Sequence, residues 1–364
     1  MSSVPSLTRK ASTQIYELIE PTLNDFIFVT MKTKIVYILT SCENDYFLEQ
    51  LILSLFSLRL YNPHTHVVLI TDKETAKTLK GDRSSIFEYL DEHIIIEIPK
   101  EFNQIQRSRF IKTSMRQNVK GDFLYIDSDT IICDDLSSID KIEDNIAGVA
   151  DMHYSQIIDH PCTMFDEWFS VLNLKLPENY SYTNGGFLYV KDNDVCHTFF
   201  EKWHTYWKES VKKGLVLDQP ALAKTNLEMG RIIHDLDGIW NCQIPGNCLP
   251  YFSDAKIIHY FGSKSPEHAD NSKVIFSSLK FWKELKAKGI PSKEVMKEIT
   301  LNAKKSFSPQ TAIYGGSDIR IINSNIYEFI CKLYYNHKGL YNKLNKVLPR
   351  LNYLLSHRHL FVRK

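Results

Sequence analysis

Two aspartates set one residue apart follow a short apolar run near the middle of the sequence. Asp127 and Asp129 come directly after the run FLYI at residues 123–126, whose aromatic and β-branched side chains are typical of a strand buried on both faces. Two carboxylates this close repel each other unless a cation lies between them, and hard oxygen ligands suit Mg²⁺ or Mn²⁺. The stretch therefore indicates a metal site, with the capping of a following turn as the alternative role for both aspartates.

Three further polar clusters lie in apolar surroundings. At residues 182–190 an amide and two glycines begin a strand-like run, where the missing side chains let a ligand approach the backbone closely. Residues 217–222 open a helix with an acid and an amide, and residues 256–260 (KIIHY) are an apolar run with a histidine near its end. The polar residues of these clusters are Asn184, Asp218, Gln219 and His259, with Gly262 and Lys264 just beyond. Each cluster alone is a weak indication, because a histidine at a strand end is more often a hydrogen-bonded core residue than a ligand.

Alternating strand-like and helix-like segments must position these residues. Strands are predicted at residues 34–40, 66–71, 93–98 and 123–126, and helices with apolar side chains at helical spacing at 47–60 and 106–119. Such alternation predicts a doubly wound, mostly parallel sheet with helices on both faces. The aspartate pair then follows the fourth strand, at the carboxyl end where open α/β sheets bind ligands.

The remaining segments divide the chain into three predicted parts. Strands are predicted at 145–151, 182–190 and 256–260, and a helix at 197–212. Residues 280–300 and 327–355 have a helical period and a lopsided charge. We therefore predict an N-terminal arm without an assigned role (1–30), a main α/β domain (31–264) and a helical, basic C-terminal extension (265–364).

Composition narrows the class of protein. The chain has 364 residues, 43% apolar and 12% aromatic, which is enough for one large globular domain with an appendage. A net charge of +1 argues against a dedicated nucleic-acid binder. Its seven cysteines form no CxxC pair, which fits neither a disulfide framework nor a structural zinc site. With no signal-like N-terminus and no apolar run of roughly 18 residues, the expected location is cytoplasmic, soluble or peripheral to a membrane.

Taken together and in this order, the four polar stretches resemble the family 8 glycosyltransferases, the retaining family that includes glycogenin and bacterial lipopolysaccharide galactosyltransferases. The resemblance covers roughly residues 34–264 and rests on the hydrophobic run ending in Asp-x-Asp, the Asn-small-Gly strand, the Asp-Gln helix start and a His-aromatic-x-Gly segment. It implies a GT-A type fold, a Rossmann-like, mixed and mainly parallel sheet flanked by helices. It also implies transfer of a hexose from a UDP-sugar to a glycan or glycolipid acceptor, with an α-linked product.

The resemblance also implies roles for single residues. Asp127, Asp129 and His259 would bind Mn²⁺ (or Mg²⁺), which bridges the diphosphate of the UDP-sugar. Thr40 and Asp72 would lie in the uridine pocket, and Arg109 or Lys112 near the diphosphate and the sugar. The residues implied around the donor sugar are Asn184, Asp218 and Gln219, and further donor contacts are implied for Ser128, Gly262 and Lys264.

The last motif departs from the family pattern. The family usually has His-x-x-Gly-x-x-Lys-Pro-Trp, whereas residues 259–267 are HYFGSKSPE, with Lys264 one place early and no tryptophan. This departure leaves open whether Lys264 binds the diphosphate. Retention itself has two routes, a carboxylate nucleophile below the anomeric carbon or a same-face attack in which the leaving phosphate takes the proton of the acceptor. Gln219 is a poor nucleophile, and binding of donor hydroxyls would occupy Asp218, so same-face attack is favoured.

Other functions remain as alternatives. A haloacid-dehalogenase-type phosphatase normally carries its nucleophilic aspartate after the first strand, whereas here strands precede Asp127. A nucleotidyltransferase needs a Gly-rich basic loop after the first strand, but residues 40–44 are acidic. Neither GxGxxG nor GxxxxGK[ST] follows any strand, so a dinucleotide-binding fingerprint and a P-loop are also missing. A lapsed transferase that only binds sugar nucleotides is the non-enzymatic alternative, and the three intact metal-ligand candidates argue against it.

The C-terminal tail suggests a membrane contact. Basic residues accumulate after Glu328, the last acidic residue, and leucines recur among them at roughly helical spacing. Such a segment lays an apolar stripe on lipid with bases at its flanks, or else packs on the catalytic domain. The first arrangement would hold the enzyme on an anionic membrane, at the inner face, where a lipid-linked acceptor is presented.

Overall fold

A seven-stranded mixed sheet with helices on both faces is the main structural element of residues 31–261. The computed structural model describes residues 31–261, 282–283, 286, 292–304 and 324–356. The strands are β1 Lys34–Leu39, β2 Val67–Asp72, β3 Glu92–Ile96, β4 Phe123–Ile126, β5 Thr130–Ile132, β6 Ile146–Ala150, β7 Thr183–Val190, β8 Ile233–Asp235, β9 Cys242–Gln243 and β10 Ile257–His259. In the seven-stranded sheet their order is β3-β2-β1-β4-β7-β6-β8. Here β1 pairs in parallel with β2 and β4, β2 with β3, and β6 with β8, while β7 runs antiparallel to β4 and β6. The predicted mixed, mainly parallel α/β fold is confirmed.

The described helices up to residue 301 belong to the same compact unit as the sheet, and those after residue 324 belong to a second unit. The α-helices are α1 Phe47–Tyr61, α2 Lys73–Thr78, α3 Gln104–Ser114, α4 Phe165–Val171, α5 Asp194–Lys212, α6 Gln219–Glu228, α7 Lys293–Leu301, α8 Asn325–Asn336 and α9 Lys338–Ser356. Short 3₁₀ turns lie at Gly81–Tyr89, Met115–Gln117, Ser137–Lys141, Asp151–His153, Ile157–Asp159 and Gly238–Asn241.

The core has two halves, one on each face of the sheet. In β4, Leu124 and Ile126 pack on the side of α1, while Phe123 and Tyr125 pack on the side of α3 and α5. All four side chains are fully buried. This alternation is the period of a strand covered on both faces, as the apolar run predicts.

The aspartate pair lies between two strands that belong to different sheets. After β4 the chain leaves the large sheet, and Thr130–Ile132 (β5) joins a second sheet in the order β5-β10-β9. There β5 pairs antiparallel to β10, with Thr130 opposite His259. The corner between the two sheets therefore carries Asp127 and Asp129, and brings His259 to them.

Two predicted helix boundaries differ from the structure. The helix predicted at 106–119 begins at Gln104, where the Asn103 side chain accepts a hydrogen bond from the backbone nitrogen of Gln106, and it ends at Ser114. Beyond that end Arg116 is fully buried and donates to the carbonyl of Gly121 at 2.9 Å, so it does not share a face with Arg109 and Lys112. The helix predicted to begin at residue 197 begins at Asp194, capped by Asn193.

The chain divides into two compact units, Met1–Gln310 and Thr311–Lys364. In the first unit Lys286 donates to the backbone oxygen of Asp45 and lies 3.6 Å from Glu49 of α1, so this part of the predicted extension packs with the sheet domain. In the second unit, α8 and α9 contact each other. Among the described residues no helix is long and apolar enough to cross a bilayer. The domain boundary at residue 264 stays a prediction.

Candidate functional site

A cavity of about 340 Å³ lies at the carboxyl end of β4. Eight of the predicted site residues line it, namely Arg109, Lys112, Asp127, Asp129, Asn184, Asp218, Gln219 and His259. They come from α3, the corner after β4, β7, the start of α6 and the end of β10. The sheet edge therefore collects side chains that are far apart in the sequence, as expected for a ligand site in an open α/β sheet.

Asp127, Asp129 and His259 form a cluster with the geometry of a cation site. One ligand atom of each residue lies within 4.8 Å of the other two. His259 Nε2 is 3.3 Å from Asp129 Oδ1, and both residues are buried. The backbone nitrogen of Asp127 donates to the carbonyl of Gly186 at 2.9 Å, which fixes the corner on β7. A pair of carboxylates and an imidazole suits Mn²⁺ or another divalent ion.

The hydrogen bonds around His259 indicate which ring nitrogen donates to Asn241 and which one faces Asp129. Asn184 Oδ1 accepts a hydrogen bond from the backbone nitrogen of Gly186, so it also accepts from Asn241 Nδ2 at 3.1 Å. Asn241 Oδ1 is then the atom that accepts from His259 Nδ1, at 3.1 Å. His259 Nε2 is therefore the ring nitrogen placed to bind a cation beside Asp129 Oδ1, with Asn241 as the partner that orients the ring. The residues present fit a divalent ion.

Gly186 leaves the space in which this cluster lies. A Cβ atom at this position would be 2.6 Å from Asp127 Oδ2 and 2.6 Å from His259 Cε1. Real Cβ contacts are longer than this, so no side chain fits without displacing the carboxylate or the imidazole. The glycine predicted to admit a ligand close to the backbone thus admits the side chains of the cation cluster.

Two cations lie beside the acidic groups. Lys112 Nζ is 3.2 Å from Asp127 Oδ1 and 3.7 Å from Asp218 Oδ2, and Arg109 Nε is 3.0 Å from Asp218 Oδ1. Burial opposes the charge on Arg109, but the attraction of Asp218 and then of Asp127 outweighs it and raises the pKa of the guanidinium. The guanidinium of Arg109 is therefore held charged, and ion pairs hold both side chains in place around the cavity.

Tyr125 is a contributor that the sequence reasoning missed. Its hydroxyl donates to Asp127 Oδ1. Burial, and then the neighbouring charge of Asp127, raise the pKa of this phenol well above its usual value, so it stays a neutral donor. The signal was in the sequence, because residues two apart on a strand point to the same face.

Asp151 and His160 were also missed. Asp151 Oδ1 accepts from Asn184 Nδ2 at 2.6 Å, and Asp151 Oδ2 is 3.0 Å from His160 Nε2. His160 Nδ1 accepts from the backbone nitrogen of Cys162 at 3.1 Å, which leaves Nε2 as the donor to Asp151. Asp151 comes directly after β6, the kind of position that singled out Asp127, but nothing in the sequence pairs it with His160.

Other predicted residues are not part of this cavity. Thr40 directly follows β1, and Asp72 is the last residue of the neighbouring β2. The Thr40 hydroxyl donates to Gln104 O at 3.3 Å. Asp72 caps α2 by accepting from the Thr75 nitrogen and lies 2.5 Å from Arg107 Nε. Ser128, between the two aspartates, does not line the cavity. Gly262 and Lys264 lie outside the described residues.

No protein-family model matches the sequence, and no curated protein matches it. Solved glycosyltransferase structures resemble the fold at low sequence identity. Mouse xyloside xylosyltransferase 1 in its apo form aligns with a TM-score of 0.42 and 13% identity over 63% of this chain and 97% of its own. Two structures of the glycosyltransferase GlyE of Streptococcus pneumoniae TIGR4 align with TM-scores of 0.43 (apo form, 15% identity) and 0.45 (17% identity), each over 75% of this chain. The alignment spans 64% of the length of GlyE.

Proposed function

We propose that this chain is a metal-dependent, retaining family 8 glycosyltransferase that moves a hexose from a UDP-sugar to a glycan or glycolipid acceptor, giving an α-linked product. The observation that carries the proposal is that one cavity at the carboxyl end of the sheet brings together three features. These are the cluster of possible metal ligands, the two fixed basic side chains and a buried acid, namely Asp127, Asp129 and His259, then Arg109 and Lys112, and then Asp218. A sugar nucleotide matches all three, because its diphosphate suits the metal ligands and the basic side chains while its sugar suits the acid.

Asp127, Asp129 and His259 hold Mn²⁺ (or Mg²⁺) in this proposal. Bound there, the ion supplies Lewis-acid stabilisation for the charge that develops on the leaving diphosphate. Lys112 and Arg109 add to it, because both lie at the cavity with positions already set by ion pairs. Fixed charges that meet the developing charge lower the barrier without reorganisation cost.

Asp218 is the proposed contact for the donor sugar. Its Oδ2 atom is buried, lines the cavity and accepts no hydrogen bond within the part of the chain that the structure describes. A Cβ on Gly185 would lie 3.2 Å from this oxygen, so the glycine keeps the approach to it open. A sugar hydroxyl that donates to Asp218 Oδ2 would satisfy a buried acceptor that otherwise costs free energy.

Same-face attack is the proposed route to retention. The bond between the anomeric carbon and the phosphate oxygen breaks, the acceptor oxygen bonds to that carbon on the same face, and the acceptor proton passes to the departing phosphate oxygen. Asp218 is paired with Arg109 and Lys112, which makes its carboxylate a weak nucleophile for the alternative covalent route. Gln219, whose Nε2 lies 3.3 Å from Thr183 O, lines the cavity near the sugar and positions it.

A screen of UDP-sugars for Mn²⁺-dependent release of UDP tests the proposal. Asp127→Ala, Asp129→Ala and His259→Ala are each expected to lower turnover on the order of a hundredfold or more, as for loss of one preorganised stabilising group. Asp235→Asn, an exposed acid at the end of β8, is the control and should turn over normally. Full activity in EDTA, or no UDP release from any donor, would contradict the proposal.

We also propose that the C-terminal helices contact an anionic membrane. Ten apolar side chains of α8 and of α9 up to residue 348 are exposed. Their exposed fractions range from 40% for Tyr327 to 73% for Ile326. The basic residues over the same stretch are Lys332, Lys338, Lys343 and Lys346, against the single acid Glu328. Exposed apolar side chains with bases beside them match a bilayer interface with negative headgroups.

Sedimentation with anionic vesicles tests this contact. An anionic surface stabilises each nearby base by about 1 kcal/mol, so replacing Lys338, Lys343 and Lys346 by Gln should weaken low-salt binding on the order of a hundredfold. Replacing the exposed Lys73, Lys77 and Lys80 by Gln removes the same charge elsewhere and is the control. Equal loss in both triple variants, or binding that persists in a chain truncated after Tyr327, would mean that the helices do not carry the contact.

A further inference from the structure

A second cleft, of about 850 Å³, opens beside the cation cavity. It lies between residues 157 and 176, on the segment that joins β6 to β7. His160, Cys162 and Phe165 line both the cleft and the cavity, so the two spaces share a wall. The cleft and the cavity therefore adjoin each other at these three residues.

The shared wall is rigid. The His160 ring is held at both nitrogens, by Asp151 at 3.0 Å and by the backbone nitrogen of Cys162 at 3.1 Å. Its centroid is 4.8 Å from that of Phe165, and the side chain of His160 is only 3% exposed. The boundary between the two spaces is thus fixed by buried contacts.

The rest of the cleft is also held in shape. The backbone nitrogen of Ile157 donates to the carbonyl of Tyr180 at 2.8 Å, which closes the segment on itself. Two lysines cap the end of α4, since Lys213 Nζ donates to Val171 O and Lys224 Nζ to Leu172 O, both at 2.9 Å. A preformed cleft loses little conformational entropy when it binds.

The lining of the cleft matches a neutral sugar chain. Its floor is apolar, with the stacked rings of Phe165 and Phe169 5.0 Å apart at an angle of 12°. Its rim is polar and exposed, with Thr163, Ser170 and Asn173. A pyranose has an apolar carbon–hydrogen face and a rim of hydroxyls, which this combination complements.

The charges of the lining argue against an anionic ligand. Apart from His160, which is paired with Asp151, the charged residues are one acid, Asp166, and one base, Lys175. They cancel, whereas a phosphate- or carboxylate-bearing ligand needs an excess of bases. A cleft of this balance selects for hydroxyl groups.

We infer that this cleft binds the acceptor as a neutral oligosaccharide, with the hydroxyl that is to be glycosylated pointing past His160 and Phe165 into the cation cavity. The inference rests on the proposed transferase function. The acceptor oxygen gains the bond to the anomeric carbon, and its proton leaves with the phosphate oxygen whose bond to that carbon breaks. The identity of the acceptor is then set by residues 157–176 and not by the residues that hold the donor.

Saccharide binding without a donor tests the inference. The probes are neutral di- and trisaccharides of glucose and galactose. Saturation-transfer NMR measures their binding to the full chain. Ser170→Trp places a bulky ring in the cleft at an exposed position of α4, and Glu167→Trp, exposed on the same helix but outside both spaces, is the matched control. Thr163→Trp blocks the cleft from another part of its lining, and circular dichroism shows that each variant is folded.

The expected result is binding of at least one saccharide by the wild type and by Glu167→Trp. Ser170→Trp and Thr163→Trp should weaken that binding by about tenfold or more, equal to a loss of about 1.4 kcal/mol. No binding of any saccharide by the wild type, or equal binding by the blocked and control variants, would overturn the inference. Failure of the transferase proposal is visible separately, as absence of Mn²⁺-dependent UDP release while saccharide binding persists.

Discussion

Asn241 Nδ2 lies 3.1 Å from Asn184 Oδ1, and this hydrogen bond sets the orientation of the Asn241 amide. Its oxygen is thereby turned to His259 Nδ1, so that the other ring nitrogen faces Asp129. Asn184 is in turn held by Asp151, which His160 also contacts. A continuous set of side-chain hydrogen bonds thus runs from the cleft to the cation cluster.

Removal of the Asn241 amide should weaken metal binding. Asn241→Leu leaves the His259 tautomer unfixed, and loss of such an orienting partner typically lowers metal affinity by about 10- to 100-fold. Mn²⁺ titration followed by electron paramagnetic resonance measures the affinity directly, without turnover. Asn241→Asp keeps an acceptor for His259 Nδ1 and should lose less. Equal affinity in wild type and Asn241→Leu would show that the hydrogen bond does not orient the ligand.

Gly186→Ala should abolish the cation site while leaving the sheet formed. The added Cβ would lie 2.6 Å from both Asp127 Oδ2 and His259 Cε1. Gly148→Ala is the matched control, because its Cβ would be equally close, 2.6 Å, to Thr183 Cγ2 and touch none of the proposed ligands. Thermal melting should show destabilisation in both variants, whereas Mn²⁺ binding should be lost only in Gly186→Ala. Metal binding by Gly186→Ala at wild-type affinity would contradict the proposed ligand set.

Asp218→Asn and Gln219→Ala should affect transfer more than nucleotide binding. Both side chains face the proposed sugar position, so kcat/KM should fall by about a hundredfold in Asp218→Asn while the affinity for UDP stays near that of the wild type. Initial rates at varied donor concentration and calorimetric binding of UDP separate the two effects. Unchanged turnover in both variants would move the sugar contact elsewhere in the cavity.

Stability should fall on acidification because of His204. Burial, with a smaller contribution from Lys208, lowers the pKa of His204 to about 4, against about 6.5 in an unfolded chain. Between these values the unfolded chain binds more protons, so the free energy of unfolding decreases as the pH falls from 6.5 toward 4. His204→Gln should reduce the loss in Tm between pH 7 and pH 5 by about 2 °C or more. The exposed His64→Gln is the control, and identical pH slopes in all three chains would exclude His204 as the cause.

The sequence predicted those parts of the site that lie on single apolar strands. The runs at residues 123–126 and 183–190 form buried strands as their composition predicts, and the polar residues predicted beside them line the cavity. Helix ends were less accurate where a side chain makes a distant contact. Arg116 lies just beyond the end of α3, and its guanidinium donates to the carbonyl of Lys191, a partner that no local pattern indicates.

The contacts between elements were not accessible from the sequence. Nothing near Asn241 or His160 in the chain indicates that the first binds His259 and the second binds Asp151. Such pairs depend on the crossing of two sheets and on the turn at Asp151–His153, where Met152 and His153 have positive φ angles of 50° and 64°. Non-glycine residues adopt this conformation when the surrounding structure holds them there.

Because Thr130 pairs with His259, the cation cluster is completed only after all strands of the large sheet have been synthesised. All seven strands of the large sheet have been made once β8 has left the ribosome, yet His259 is still missing at that stage. Contacts between residues so far apart in the sequence close late, because the intervening chain must first be ordered. A metal ion that needs His259 therefore stabilises only the finished domain, and nascent chains that stop before β10 gain nothing from it.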